Sequence, residues 1–168
     1  LAAAFPNDPE LPGLRQALDD RRRAEGLLTS TQALLRSHGI SDIPAATAAI
    51  QAYQEVLQLA PQHAVALKEL DSLAQYYATL AAEAVEAGEI DNAINFLERA
   101  SAANSTLPIL ATVRDKIRQA TTLQAAIADM LQQAGALRAN GSLINPPGGN
   151  AAEIYHRVLA TDPGNVIA

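Results

Sequence analysis

A chain of 168 residues is long enough to bury one sizeable core, and its 49% hydrophobic share with only 4% aromatic residues rests mostly on Ala and Leu, both strong helix formers. The 12 basic and 18 acidic side chains leave a net charge of −6, whose field repels phosphate backbones and argues against nucleic acid as a partner. The lack of cysteine removes disulfides and thiolate metal sites, and no run approaches the roughly 20 apolar residues needed to cross a bilayer.

Taken in chain order, Leu1–Pro9 looks like the tail of a helix stopped by Asn-Asp-Pro, as if the chain begins inside the second helix of an earlier repeat. The first residue is Leu and no signal-peptide pattern follows, so the expectation is a segment of a longer protein, with any signal or anchor outside it. Pro12 suits a first helical turn, and Leu14, Leu18, Ala24, Leu27 and Ala33–Leu35 give a helical stripe to about Ser37, closed by Gly39. Arg21–Arg23 follow Asp19 and Asp20 and read as a solvated face with local opposite-charge pairs. Ser41–Ala46 reads as a loop broken by Pro44. Ala49, Ile50, Tyr53, Val56 and Leu57 form one face of a helix over Thr47–Ala60, which Pro61 ends. A further helix is predicted from about Gln62 to Ala87, closed by Gly88, and Asp91 is placed as the N-cap of another reaching about Ala103. Ser105 is placed as the cap of a third long helix, with Pro108 in its first turn and a possible break at Thr121-Thr122. Asn140–Gly149 reads as a loop, and Asn150 with Glu153 as a capping-box-like start for a last helix, Ala151–Ala160.

The chain repeats itself without a gap at an offset of 102 residues: Arg36 with Arg138, Gly39 with Gly141, Pro44 with Pro146, Ala49 with Ala151, Tyr53 with Tyr155, Val56 with Val158, Leu57 with Leu159, Pro61 with Pro163 and Ala66 with Ala168. The middle of the chain carries Tyr77-x2-Leu80-Ala81-x2-Ala84-x3-Gly88, then Ala93-x3-Leu97-x2-Ala100-x4-Ser105, which resembles the tetratricopeptide repeat. Ala49-x3-Tyr53-x2-Val56-x4-Pro61 and its copy 102 residues on match the second half of that signature. The resemblance covers nearly the whole chain, in a long-helix form similar to repeat regions of bacterial envelope or signalling proteins. It implies an all-α, right-handed solenoid of about three hairpins (residues 11–61, 62–105 and 106–168) after a remnant at 1–10. Gly39 to Ala49 and Gly141 to Ala151 are each five residues longer than Gly88 to Ala93, so the first and third units are expected to carry loop insertions.

No catalytic constellation emerges. His38, His63 and His156 have no partner at metal-ligand spacing, the Gly-Gly before Asn150 lacks the Lys and Ser/Thr of a phosphate loop, and no carboxylate pair converges. The sequence therefore points to a non-enzymatic protein with no cofactor and no metal. The resemblance instead implies a protein or peptide partner on a concave face. Carrying the family's groove positions over gives Thr29, Ala33 and Arg36 (with Gly26 and Ser37) in the first unit. In the second it gives Gln75, Ala78, Ala82, Val85 and Glu86, and in the third Leu131 and Arg138 (with Ala128, Gly135 and Ala139). Arg36 and Arg138 either meet acidic groups of a partner or complement the dipole of their own helix ends. Tyr53 and Tyr155 hold packing positions, whereas Tyr76, beside the packing residue Tyr77, is left nearer the surface. Alternatives of other classes are a self-associating structural module and a regulatory segment of a larger enzyme or envelope protein. Without cysteine the chain suits a bacterial periplasm as well as a cytoplasm.

Overall fold

The structure is a computed structural model that describes residues 11–168, so the reading of Leu1–Pro9 lies outside the described residues. Among the described residues the protein is all-α, with six helices: α1 (Leu11–His38), α2 (Ile43–Leu59), α3 (Ala64–Glu86), α4 (Ile90–Ala103), α5 (Ile109–Ala139) and α6 (Ala151–Thr161). They fall into two compact units, one reaching Arg114 and the other comprising Asp115–Ala168.

In the first unit α1 packs on α2 and α3 on α4, and α2 joins the two pairs by packing on α3 and touching α4. Each pair is antiparallel because its connection is only a few residues long. Small residues make the contact close. Ala45, Ala46, Ala49, Tyr53 and Val56 of α2 are buried, as are Ala66, Ala74, Tyr77, Ala78 and Ala81 of α3 and Ala93 and Ala100 of α4. Leu110 and Val113, in the first turns of α5, complete that core. In the second unit Ile117, Ala134, Ala151 and Val158 are buried, while Ile127 and Leu131 are only half-buried.

Glycine closes three helices, α1 and α3 as expected and α5 in the same way. Gly39, Gly88 and Gly141 follow α1, α3 and α5 with φ of 82°, 76° and 77°, a left-handed conformation that side chains with a Cβ resist.

The helix starts differ from expectation, each for a local reason. Ser41–Ala46 is not a loop: the turn is Gly39–Asp42, Asp42 caps α2 by accepting from the Ala45 N–H at 2.8 Å, and Pro44 lies in the first turn, where its missing N–H costs nothing. The additional residues in the first unit are thus helical. In the second unit the corresponding stretch, Asn140–Asn150, is a true loop. α3 is capped by His63, whose Nδ1 accepts from the Ala66 N–H at 3.4 Å. Asp91 is not the cap of α4: Glu89 holds that position without a side-chain cap bond, and Asp91 sits in the first turn, where its charge favours the helix dipole. Ser105 does not cap α5. Asn104 ends α4, its Oδ1 accepts from the Thr106 N–H at 3.0 Å and hydroxyl at 2.7 Å, and this tight turn delays the helix to Ile109. Nor do Thr121 and Thr122 divide α5, because their hydroxyls donate back to Ile117 and Arg118 carbonyls at 2.9 and 2.8 Å. The last helix starts as read: Asn150 accepts from the Glu153 N–H at 3.0 Å, and the Glu153 carboxylate accepts from the Gly148 N–H at 2.9 Å.

Candidate groove in the first unit

Two clefts of the first unit open along one stripe of α1. The larger, about 520 Å³, lies between Ala17, Arg21, Ala24 and Glu25 of α1 and the residues Leu59–His63 that lead from α2 into α3. The smaller, about 320 Å³, is lined by Gln32, Leu35 and Arg36 of α1, Ile40 of the turn, Tyr53 of α2 and Glu69 of α3. Ala17, Arg21, Glu25, Gln32 and Arg36 recur at spacings of four and seven, which is one side of a helix. The two clefts thus lie along one side of α1 as a discontinuous groove, the larger opposite the α2–α3 turn and the smaller opposite α3.

The far end of the smaller cleft is fixed by hydrogen bonds from α3 to the α1–α2 turn. The Tyr77 hydroxyl donates to the Ile40 carbonyl at 2.9 Å, and the Tyr76 hydroxyl lies 3.1 Å from Ser41 Oγ. The Tyr77 ring stacks on Phe96 at 6.1 Å and meets Tyr76 edge-on at 5.3 Å, so α3, α4 and the turn share one aromatic joint. Burial, and less strongly the neighbouring Tyr76 and Asp42, push the Tyr77 phenol up, against the opposing pull of Arg99. Across the hairpin, exposed Arg23 pairs with Glu55.

Tyr53 occupies the packing position read from the sequence and is fully buried, but its hydroxyl is without a hydrogen-bond partner. Its phenol is pushed up to about 12, first by burial and then by the Glu69 carboxylate that lines the same cleft. Half-buried Glu69 itself makes no hydrogen bond or ion pair among the described residues. Arg36 is exposed, and its Nε donates back to the Gln32 carbonyl at 3.2 Å.

The residues carried over from the family pattern divide as follows. Arg36 lines the smaller cleft, and Thr29 and Ala33 are exposed on α1. Gln75, braced by Asp71 at 2.7 Å, lines a third cleft of about 490 Å³ on α3 together with Ser72, Tyr76, Thr79, Leu80 and Glu83. Ala82 and Val85 are half-buried and Glu86 is exposed. Ala78 is completely buried: its small side chain belongs to the helix packing, so it supports this surface from below and is not open to a partner. Leu131, half-buried, and Arg138, exposed in the last turn of α5, belong to the second unit. Sequence reading missed Gln32, Leu35, Ile40 and Glu69. The recurrence at four and seven through Arg21, Glu25, Gln32 and Arg36 was the signal that could have found the α1 wall.

Among the described residues no three of His, Asp and Glu converge as a metal site, and no helix is long and apolar enough to cross a membrane. Comparison with family models, curated proteins and solved structures finds no match to this chain.

Proposed function

We propose that the chain is a non-catalytic interaction module that holds a segment of a partner protein along the α1–α3 groove, in a tetratricopeptide-like stack of helical hairpins. The observation that carries this reading is that one side of α1 lines two clefts against successive parts of the α2–α3 segment. A groove with helical walls, apolar patches and a polar fringe accepts an extended or helical segment and offers no concerted acid–base pair. The test is affinity capture from a lysate of the source organism with the wild type, Gln32→Arg on α1 and Glu69→Arg on α3, each verified as folded by circular dichroism. A protein retained by the wild type and lost with either variant is expected. Equal retention by all three removes the groove.

Self-association is a second reading, favoured by the exposed Leu123 of α5, which lines a shallow depression with Thr122 and Ala126. Light scattering that gives a concentration-independent monomer mass eliminates it.

A further inference from the structure

The internal repeat extends to individual hydrogen bonds at the end of α6. In the first unit the Ala60 amide donates to the Val56 carbonyl at 2.8 Å, the His63 amide to the Ala60 carbonyl at 3.0 Å, and the Ala66 amide to the His63 Nδ1 at 3.4 Å. At an offset of 102 the second unit repeats all three: Asp162 to Val158 at 2.7 Å, Asn165 to Asp162 at 3.1 Å, and Ala168 to the Asn165 Oδ1 at 3.2 Å. In the first unit this turn and cap open α3, so Val166–Ala168 hold the positions of its first turn. The helix before the turn differs between the copies on one side only. Ala151 and Val158 are as fully buried as their counterparts Ala49 and Val56. Ile50 and Tyr53 are buried too, with α3 packed on α2 and Glu69 of α3 lining the cleft at Tyr53, whereas their counterparts Ala152 and Tyr155 are only half-buried.

We propose that the half-open side of α6 seats an amphipathic helix in line with the chain, with Asn165 as its N-cap and Val166–Ala168 as its first turn. Its chemistry is that of α3, alanine and leucine at threes and fours (Ala66, Leu70, Leu73, Ala74), because α6 repeats the helix that α3 covers. Covering Ala152 and Tyr155 removes apolar and aromatic surface from water, which is what α3 does for Ile50 and Tyr53. The turn also selects the source of the helix. It delivers the backbone to this side with the cap bond already made, so an in-line helix loses none of the translational freedom that a separate partner gives up on docking. Nothing in this assignment depends on the groove of the first unit.

The probe is the chain's own α3–α4 hairpin. Residues 67–104 are appended after Ala168, which continues the offset of 102 and brings the added helix with the partner that covers its other side. Amide hydrogen exchange is compared in the 168-residue chain and the extended one. The amides of Tyr155, Val158 and Leu159 are expected to exchange about tenfold more slowly in the extended chain. Ala152→Arg, or Leu70→Glu with Leu73→Glu in the appended copy, is expected to abolish the slowing, and Asn165→Ala to reduce it roughly fivefold. Dispersion of the amide spectrum of the 168-residue chain carrying Ala152→Arg checks that the variant folds. Slowing that survives Ala152→Arg, or appended residues that leave α6 exchange unchanged, overturns the proposal. A separate peptide of residues 64–104 that protects α6 equally at equimolar concentration overturns the in-line source in favour of a separate partner. Exchange of α6 that slows as the 168-residue chain is concentrated overturns it in favour of a second copy.

Discussion

Replacing Tyr53 by Phe should stabilise the fold, although the residue is fully buried in the core. The ring stays, so no cavity opens, and the substitution deletes only a hydroxyl without a partner. Leaving such a group buried costs about 1–3 kcal/mol, so Tyr53→Phe should gain on the order of 2 kcal/mol. At about 3 °C per kcal/mol for a chain of this size, Tm rises by roughly 6 °C. Alkaline titration sharpens the test. A tyrosine in the unfolded chain titrates near 10.0, while the native Tyr53 proton is held to about 12. The native state thus holds its proton where the unfolded state has lost it, and each further pH unit costs about 1.4 kcal/mol of stability. This contribution is intact below pH 10, has fallen by about 1.4 kcal/mol at pH 11 and is fully lost by about pH 12. Tyr53→Phe has no such proton to lose and keeps only the smaller alkaline loss from Tyr77, whose phenol is also raised. The assay is urea unfolding followed by far-ultraviolet circular dichroism at pH 8 and pH 11. A variant less stable than wild type at pH 8, or equal losses between the two pH values, would refute the account of the unpaired hydroxyl.

Two further substitutions test local structure. Gly26→Ala, on an exposed turn of α1 with nothing near the added Cβ, should gain about 0.5–1 kcal/mol, whereas Gly88→Ala, at φ 76°, should lose about 1 kcal/mol or more despite equal free space. Thermal melts of the pair check that backbone conformation and not packing sets the sign. His63→Asp should raise stability by about 0.5–1 kcal/mol, because a carboxylate reaches the Ala66 N–H more closely than the present 3.4 Å contact and its charge complements the positive end of the helix dipole; an unchanged urea midpoint counts against the cap.

The order and approximate extent of the helices were legible in the sequence because their signals are local. Apolar residues recur at threes and fours along α2 and α3, and Gly39, Gly88 and Gly141 stand where a helix must turn left-handed. Helix starts were less legible, since the same residue types serve on either side of a boundary. Pro44 reads equally as a breaker or as a first-turn residue, and only the Asp42 cap decides. Asp91 and Ser105 have capping side chains, but the chain enters α4 and α5 through Glu89 and an Asn104 turn. The groove was legible only in part. Arg36 was found through its place in the repeat, whereas Glu69 and Gln32 are polar residues on the flank of an apolar stripe, where a sequence gives solvent and cleft the same appearance. Ala78 shows the converse: a small residue at a family contact position, drawn wholly into the helix packing. The sequence correctly put the Tyr53 ring in the core, but no periodicity reports whether the oxygen at its tip finds a partner.

Asn150 joins two segments that would otherwise open separately. Its Oδ1 holds the first turn of α6, while its Nδ2 donates to the Ile144 and Pro146 carbonyls at 3.2 and 3.1 Å and to the Glu153 carboxylate at 3.0 Å. The Ala151 and Ala152 amides donate in turn to the Ser142 and Leu143 carbonyls at 3.0 Å each. A loop rich in proline and glycine would ordinarily exchange its amide hydrogens freely with water. Here it cannot loosen without uncapping the helix that follows, so the stretch from Ser142 to the first turn of α6 protects its amides as one cooperative foldon.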